Sequence, residues 1–152
     1  MCAIAGSSAQ AQTVQSVMDV TATVVEACAV TTNDLAFGNY DPTAIDPTDA
    51  TANIVVACTP GTIFTVALNQ GTSPGATITD RRMANGLDVL RYQLFSDAAR
   101  LNNFGATPGL DALPAQTSTA TPAVVPVFGR VAPQQKVPPG EYRDVVTVSV
   151  TY

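Results

Sequence analysis

Apolar and polar residues alternate along most of this chain with a period of two, the spacing of half-buried strands, and no segment carries a helical period. Between Val14 and Cys28 the residues Val14, Met18, Val20, Ala22 and Val24 fall on one face, with Asp19, Thr21 and Thr23 on the other. Cys28 shares the apolar parity, and Ser16 is the weak polar point of the row. From Ala52 to Cys58 the residues Ile54, Val56 and Cys58 share a face, and Phe64, Val66 and Leu68 repeat the pattern after the Thr59-Pro60-Gly61-Thr62 turn. Ile78–Met83 predicts a short strand ended by the turn at Asn85-Gly86, and Leu90–Phe95 predicts another. Residues 102–121 predict a loop with a short edge strand near Gln116–Ala120. Val124–Phe128 is interrupted by Pro126, which places that run at an edge or a bulge rather than in a central strand. The clearest alternation is the last: in Gly140–Tyr152, Tyr142, Val146, Val148, Val150 and Tyr152 oppose Arg143, Val145, Thr147, Ser149 and Thr151.

Strands of this length, separated by turns and without helices, predict an all-β, immunoglobulin-like sandwich. The chain has 152 residues, one domain's worth. Val, Ala, Thr, Pro and Gly dominate, which suits short strands and turns and is poor for long helices. Charged residues are 12% of the chain, against roughly 25% in an ordinary domain. No uninterrupted apolar run is long enough to span a bilayer.

Charge and residue inventory then remove most chemistries. A net charge of −5 without a basic run leaves no footprint for nucleic acid. The absence of histidine removes His-based metal sites, Ser-His-Asp triads and Cys-His dyads. Asp41, Asp46 and Asp49 lack the alternate-residue spacing of an EF-hand loop, and Asp before Pro is a turn starter, so no metal is expected. Glu141 and Asp144 fall on opposite faces of a strand, unsuited to paired acid–base work, and read as solubility and turn residues. Arg81, Arg82, Arg91, Arg100, Arg130 and Arg143 are spread widely enough to read as separate surface residues in local ion pairs. No glycine cluster opens a helix to hold a phosphate. The expectation is a structural protein without cofactor, not an enzyme.

Residues 1–11 end in Ala9-Gln10-Ala11, an A-x-A cleavage pattern after small and apolar residues, though the basic start of a signal peptide is missing. They read as a signal-peptide remnant, with the mature chain starting at Gln12; a plain N-terminal tail is the alternative. Export leaves Cys28 and Cys58 as an even pair and hence one disulfide, rather than two buried thiols. The N-terminal apolar row fits two arrangements: the first strand of the chain's own sandwich, or a strand given to a neighbour.

An ordered set of segments resembles the spore coat U domain family, which includes major subunits of archaic chaperone–usher pili. The set comprises Val24-Val25-Glu26-Ala27-Cys28, Leu35–Pro42, Val55–Cys58, Tyr92–Arg100, Val127–Arg130 and Gly140–Asp144 with its closing strand. The resemblance implies an incomplete immunoglobulin-like sandwich completed by a donor strand from a neighbouring subunit. It divides the chain into a donor strand at 12–24 and a pilin domain at 25–152. Val14, Met18, Val20, Ala22 and Val24 would form the donor row, and Val146, Val148 and Val150 the acceptor groove. The implied partners are identical subunits in a polymer, a periplasmic chaperone and an outer-membrane usher. The implied destination is a cell-surface pilus, reached through the periplasm and serving adhesion and biofilm formation. A minor or tip-proximal subunit that binds a surface or glycan is the alternative role.

Overall fold

The computed structural model describes residues 2, 3 and 5–152, and every regular element among them is a strand. β-Branched and aromatic residues at alternate positions favour a pleated backbone, and Pro, Gly and Asp clusters stop it. Eight strands result: β1 (Cys28–Thr32), β2 (Thr48–Cys58), β3 (Ile63–Leu68), β4 (Arg81–Asn85), β5 (Asp88–Phe95), β6 (Gln116–Thr117), β7 (Ala123–Val131) and β8 (Val148–Thr151). Five pair antiparallel in the order β1-β2-β7-β5-β4, and three form a second sheet in the order β6-β3-β8. The core fills the space between them. Ile54 and Val56 of β2, Leu90, Tyr92 and Leu94 of β5, and Val125, Val127 and Val131 of β7 pack against Phe64, Val66 and Leu68 of β3 and against Phe104. The predicted inward rows of β2 and β3 are those observed.

Cys28 and Cys58 form a disulfide between register partners, so the bridge joins neighbouring strands of one sheet. Holding β1 at the edge of its sheet this way closes a loop of 30 residues, worth about 3.5 kcal/mol in a chain-entropy picture.

Four expectations need correction. The strand predicted at Ile78–Met83 begins at Arg81, because Thr77 and Asp80 exchange backbone hydrogen bonds and turn the chain at Ile78 and Thr79. The strand carrying Pro126 lies in the middle of its sheet, not at an edge. Its β5 neighbour pairs only with Phe128–Val131, so Pro126 has one neighbour, Asn53. The N–H and C=O of Asn53 both bond to Asn33 on the far side. The pair is therefore of the non-hydrogen-bonded kind, and the missing proline N–H breaks no ladder bond.

The long C-terminal strand forms a ladder only over Val148–Thr151. Before that, Arg143 exchanges backbone hydrogen bonds with Ala84 of β4, so the segment starts on one sheet and crosses to the other. Its alternation survives: Tyr142, Asp144, Val146, Val148 and Val150 are half-buried and the residues between them exposed. Finally, Arg81 is not a surface residue but fully buried. Its guanidinium donates to the carbonyls of Asn69, Ile78, Leu68 and Phe104, which satisfies a charge removed from water and ties the end of β3 to β4 across the sandwich. Burial lowers its pKa, opposed by the nearby Tyr92, Asp144 and Asp111.

Candidate functional site

Three strands cannot cover five. β8 and β1, each at the end of its sheet, have a neighbour on one side only, and each presents an edge of unpaired backbone groups. Val30 of β1 is the register partner of buried Val56, on the face turned to the second sheet, yet it remains 41% exposed. Between these edges runs an open groove of about 470 Å³, lined by Leu35 and Phe37 on one side and Val146 and Val148 on the other. Ile54, Leu94 and Val127 form its floor.

The walls are held by specific contacts. Gly129 on β7 has no side chain where a Cβ would come within 2.8 Å of the Phe37 ring, so the ring can lie against the sheet. Phe37 then meets Tyr92 edge-on, with centroids 6.0 Å apart. The Tyr92 hydroxyl donates to Asp144 at 2.6 Å. The same carboxylate accepts from the Thr72 amide at 2.9 Å and hydroxyl at 3.1 Å. Burial, reinforced by that carboxylate, pushes the Tyr92 phenol far above its ordinary range. Asn69 holds the next turn of chain: its side chain accepts from the Thr147 amide at 2.9 Å, and its own amide donates to the Thr147 carbonyl. The wall is thus bolted where it crosses between sheets, while the outer edge of β8 is free. Asp144, read from sequence as a solubility residue, is one of those bolts. A slot with an apolar floor and with Asn33, Asp34 and Asn53 at the β1 end, bordered by free strand edges, suits an extended segment with alternate apolar side chains.

The structure brings Val146 and Val148 to this groove. Val150 is half-buried against the core, opposite Val66, and is not part of the lining. Val14, Met18, Val20, Ala22 and Val24 lie in a segment without secondary structure, from 81 to 95% exposed at its four large side chains, and are not brought to the groove. The strand predicted from Val14 pairs only from Cys28 onward. The segment's root is fixed, because the Thr59 hydroxyl donates to the Val25 carbonyl and accepts from the Ala27 amide. Leu35, Phe37 and Tyr92 escaped the sequence reading as lining residues. The alternation Leu35-Ala36-Phe37 was a usable signal, but it spans only three residues before the turn at Asp41-Pro42. Asp41 does act as a turn residue, accepting from the Thr43 amide and hydroxyl, and Asp49 faces Arg130.

The family model described as Spore Coat Protein U domain matches residues 14–149. Protein U of Myxococcus xanthus is 34% identical over 164 residues, spanning 98% of this chain and 90% of that protein. Among solved structures, a chain of the CsuC–CsuE chaperone–tip adhesion subunit pre-assembly complex, from archaic chaperone-usher Csu pili of Acinetobacter baumannii, superposes with a TM-score of 0.62. It is 22% identical over 86% of this chain, which spans 40% of that one. The P pilus rod subunit PapA superposes with a TM-score of 0.54 at 15% identity, over 82% of this chain and 98% of PapA. At these identities the structural likeness is one of fold, and the fold is the immunoglobulin-like sandwich of such subunits. The chain belongs to the Spore Coat Protein U domain family.

Proposed function

We propose that this chain is a structural subunit of a surface pilus, assembled by donor-strand exchange through the chaperone–usher pathway. The observation that carries this reading is the open groove beside the unpaired edge of β8, in a molecule whose own N-terminal segment is exposed and patterned to fill such a groove. Family membership and the fold shared with pilus subunits support it. Residues 12–24 of one copy add a strand beside β8 of the next, with main-chain hydrogen bonds along the edge and Val14, Met18, Val20, Ala22 and Val24 presented toward the core. Burying four such side chains at about 1.5–3 kcal/mol each gives roughly 6–12 kcal/mol before ordering costs, nearer the low end because of Ala22. A periplasmic chaperone covers the groove before assembly, an outer-membrane usher exchanges it for the next subunit, and the product is displayed at the cell surface. The role is repetitive and structural, in a fibre that supports adhesion and biofilm formation, rather than catalytic.

The test is gel electrophoresis, unheated and heated, of protein expressed with its assembly partners. A ladder that survives cold detergent and collapses on boiling is expected, and deletion of residues 12–20 should abolish it while leaving monomer. A single monomer band under every condition would overturn the reading.

A further inference from the structure

The arginines that look scattered in sequence are gathered by the sheet. Arg82 of β4 and Arg91 of β5 are register partners, and Arg130 of β7 is partner both to Gln93 of β5 and to Asp49 of β2. All lie on the face of the five-stranded sheet turned away from the core. Asp80 sits between two of them, 3.0 Å from Arg82 and 3.4 Å from Arg91. Asp49 sits between two others, 2.8 Å from Arg130 and 3.5 Å from Arg100, whose guanidinium also lies over the Phe128 ring. The result is two Arg–Asp–Arg triads, each with one positive charge in excess, with Gln93 on the strand between them donating its side-chain amide to the Thr79 carbonyl.

We propose that this outer face is a docking surface for a linear anionic polysaccharide. Charge complementarity is the argument. The chain carries seven cationic side chains and a net charge of −5, and four of the seven stand on this face against two carboxylates. The nearby Asp97 turns its carboxylate to the amides of Leu101 and Asn102. Elsewhere Arg81 is buried and Arg143 is paired with Glu141. Arg91 is the most available member, with a side chain 63% exposed and one long contact. Guanidinium forks on a flat face recognise carboxylate or sulfate groups bidentately. Two isolated positive triads suit a polymer with sparse charges. Duplex DNA, with one charge per about 1.7 Å, needs a dense basic stripe and would be repelled by the rest of this protein. Each face binds weakly, and repetition along a fibre supplies avidity. The face itself exists in the single subunit and does not depend on assembly.

The test is binding of the full chain, as unassembled subunit and as fibre, to immobilised alginate at low and raised salt, with neutral dextran and duplex DNA for comparison. Arg91→Gln with Arg130→Gln removes one guanidinium from each triad, and Arg143→Gln, which removes one charge elsewhere, is the match for Arg91→Gln alone. Alginate binding without dextran binding is expected in the parent. The double variant should lose about tenfold in affinity and show a shallower salt dependence, while Arg143→Gln stays within about twofold. Arg91→Gln alone, at an exposed position, should lose about threefold and keeps the test valid if the double variant does not fold. Absence of alginate binding, an equal loss in Arg143→Gln, or tighter binding to DNA would overturn the proposal. So would low-salt self-association that the double variant abolishes, which would assign the face to a second copy. A ladder without alginate binding defeats this inference alone; alginate binding without a ladder defeats the pilus reading alone.

Discussion

β3 and β8 lie side by side in the same small sheet and carry nearly the same pattern, yet their fates differ. Phe64, Val66 and Leu68 of β3 are buried to 2% exposure or less, while Val148 and Val150 of β8 are only half-buried. β3 has a neighbour on each side and β8 has one. The segment from Val14 to Val24 extends the series: the same alternation, no neighbour, and side chains almost wholly in water. Alternation therefore states which face a strand offers; the number of neighbours decides whether that face is covered. Val148 and Val150 are thus half covered and the row from Val14 to Val24 is not covered at all, the difference on which the proposed joint rests.

The comparison can be broken most forcefully at β3. Phe64→Ala should cost about 3–5 kcal/mol in urea denaturation, enough to unfold the isolated domain, because the cavity lies where both sheets close. Replacing Cys28 and Cys58 by serine should cost about 3.5 kcal/mol and loosen β1, detectable as faster amide exchange at Ala29 and Thr31, whose N–H groups point to β2. At β8 the effect should depend on whether the groove is filled. Val148→Ala should cost about 1 kcal/mol in the chain alone, and roughly 2 kcal/mol with a synthetic peptide of residues 12–25 in place. Equal losses in the two states would show that the peptide does not cover Val148.

The smallest effects are those of pH, and they separate the bolted wall from the outer face. Tyr92 has its pKa raised by burial and by Asp144, so its contribution to stability is complete below the ordinary value of 10.0 and is lost as pH climbs above it. Asp49 has its pKa lowered, first by its hydrogen bond to Arg130, so its contribution is present above the ordinary 3.8 and is lost as pH falls through the lower folded value. Thermal melts should show the alkaline loss disappearing in Tyr92→Phe, and the acid loss diminishing in Asp49→Asn.

Much of this was legible in the residues. The rows Ile54-Val56 and Phe64-Val66-Leu68, the cysteine pair and the turn at Asn85-Gly86 are local or parity-based features, and such features survive any correct pairing of strands. Pro126 was misread because a proline reports only that one N–H is missing; whether that N–H was needed depends on Asn53 having already turned to Asn33. Arg81 was misread because its partners are main-chain carbonyls of Leu68, Asn69, Ile78 and Phe104, and a carbonyl leaves no trace in residue identity.

The sequence by itself determined the class of fold, the inward faces and the apolar row at the N-terminus, because alternation follows from the two-residue repeat of an extended backbone. Tertiary structure alone decided that three strands would face five, that Val146 and Val148 would line an open groove with Leu35 and Phe37, and that four distant arginines would share one face. Those outcomes depend on which strands pair and in what register, and residues far apart in the chain meet only once that pairing is made.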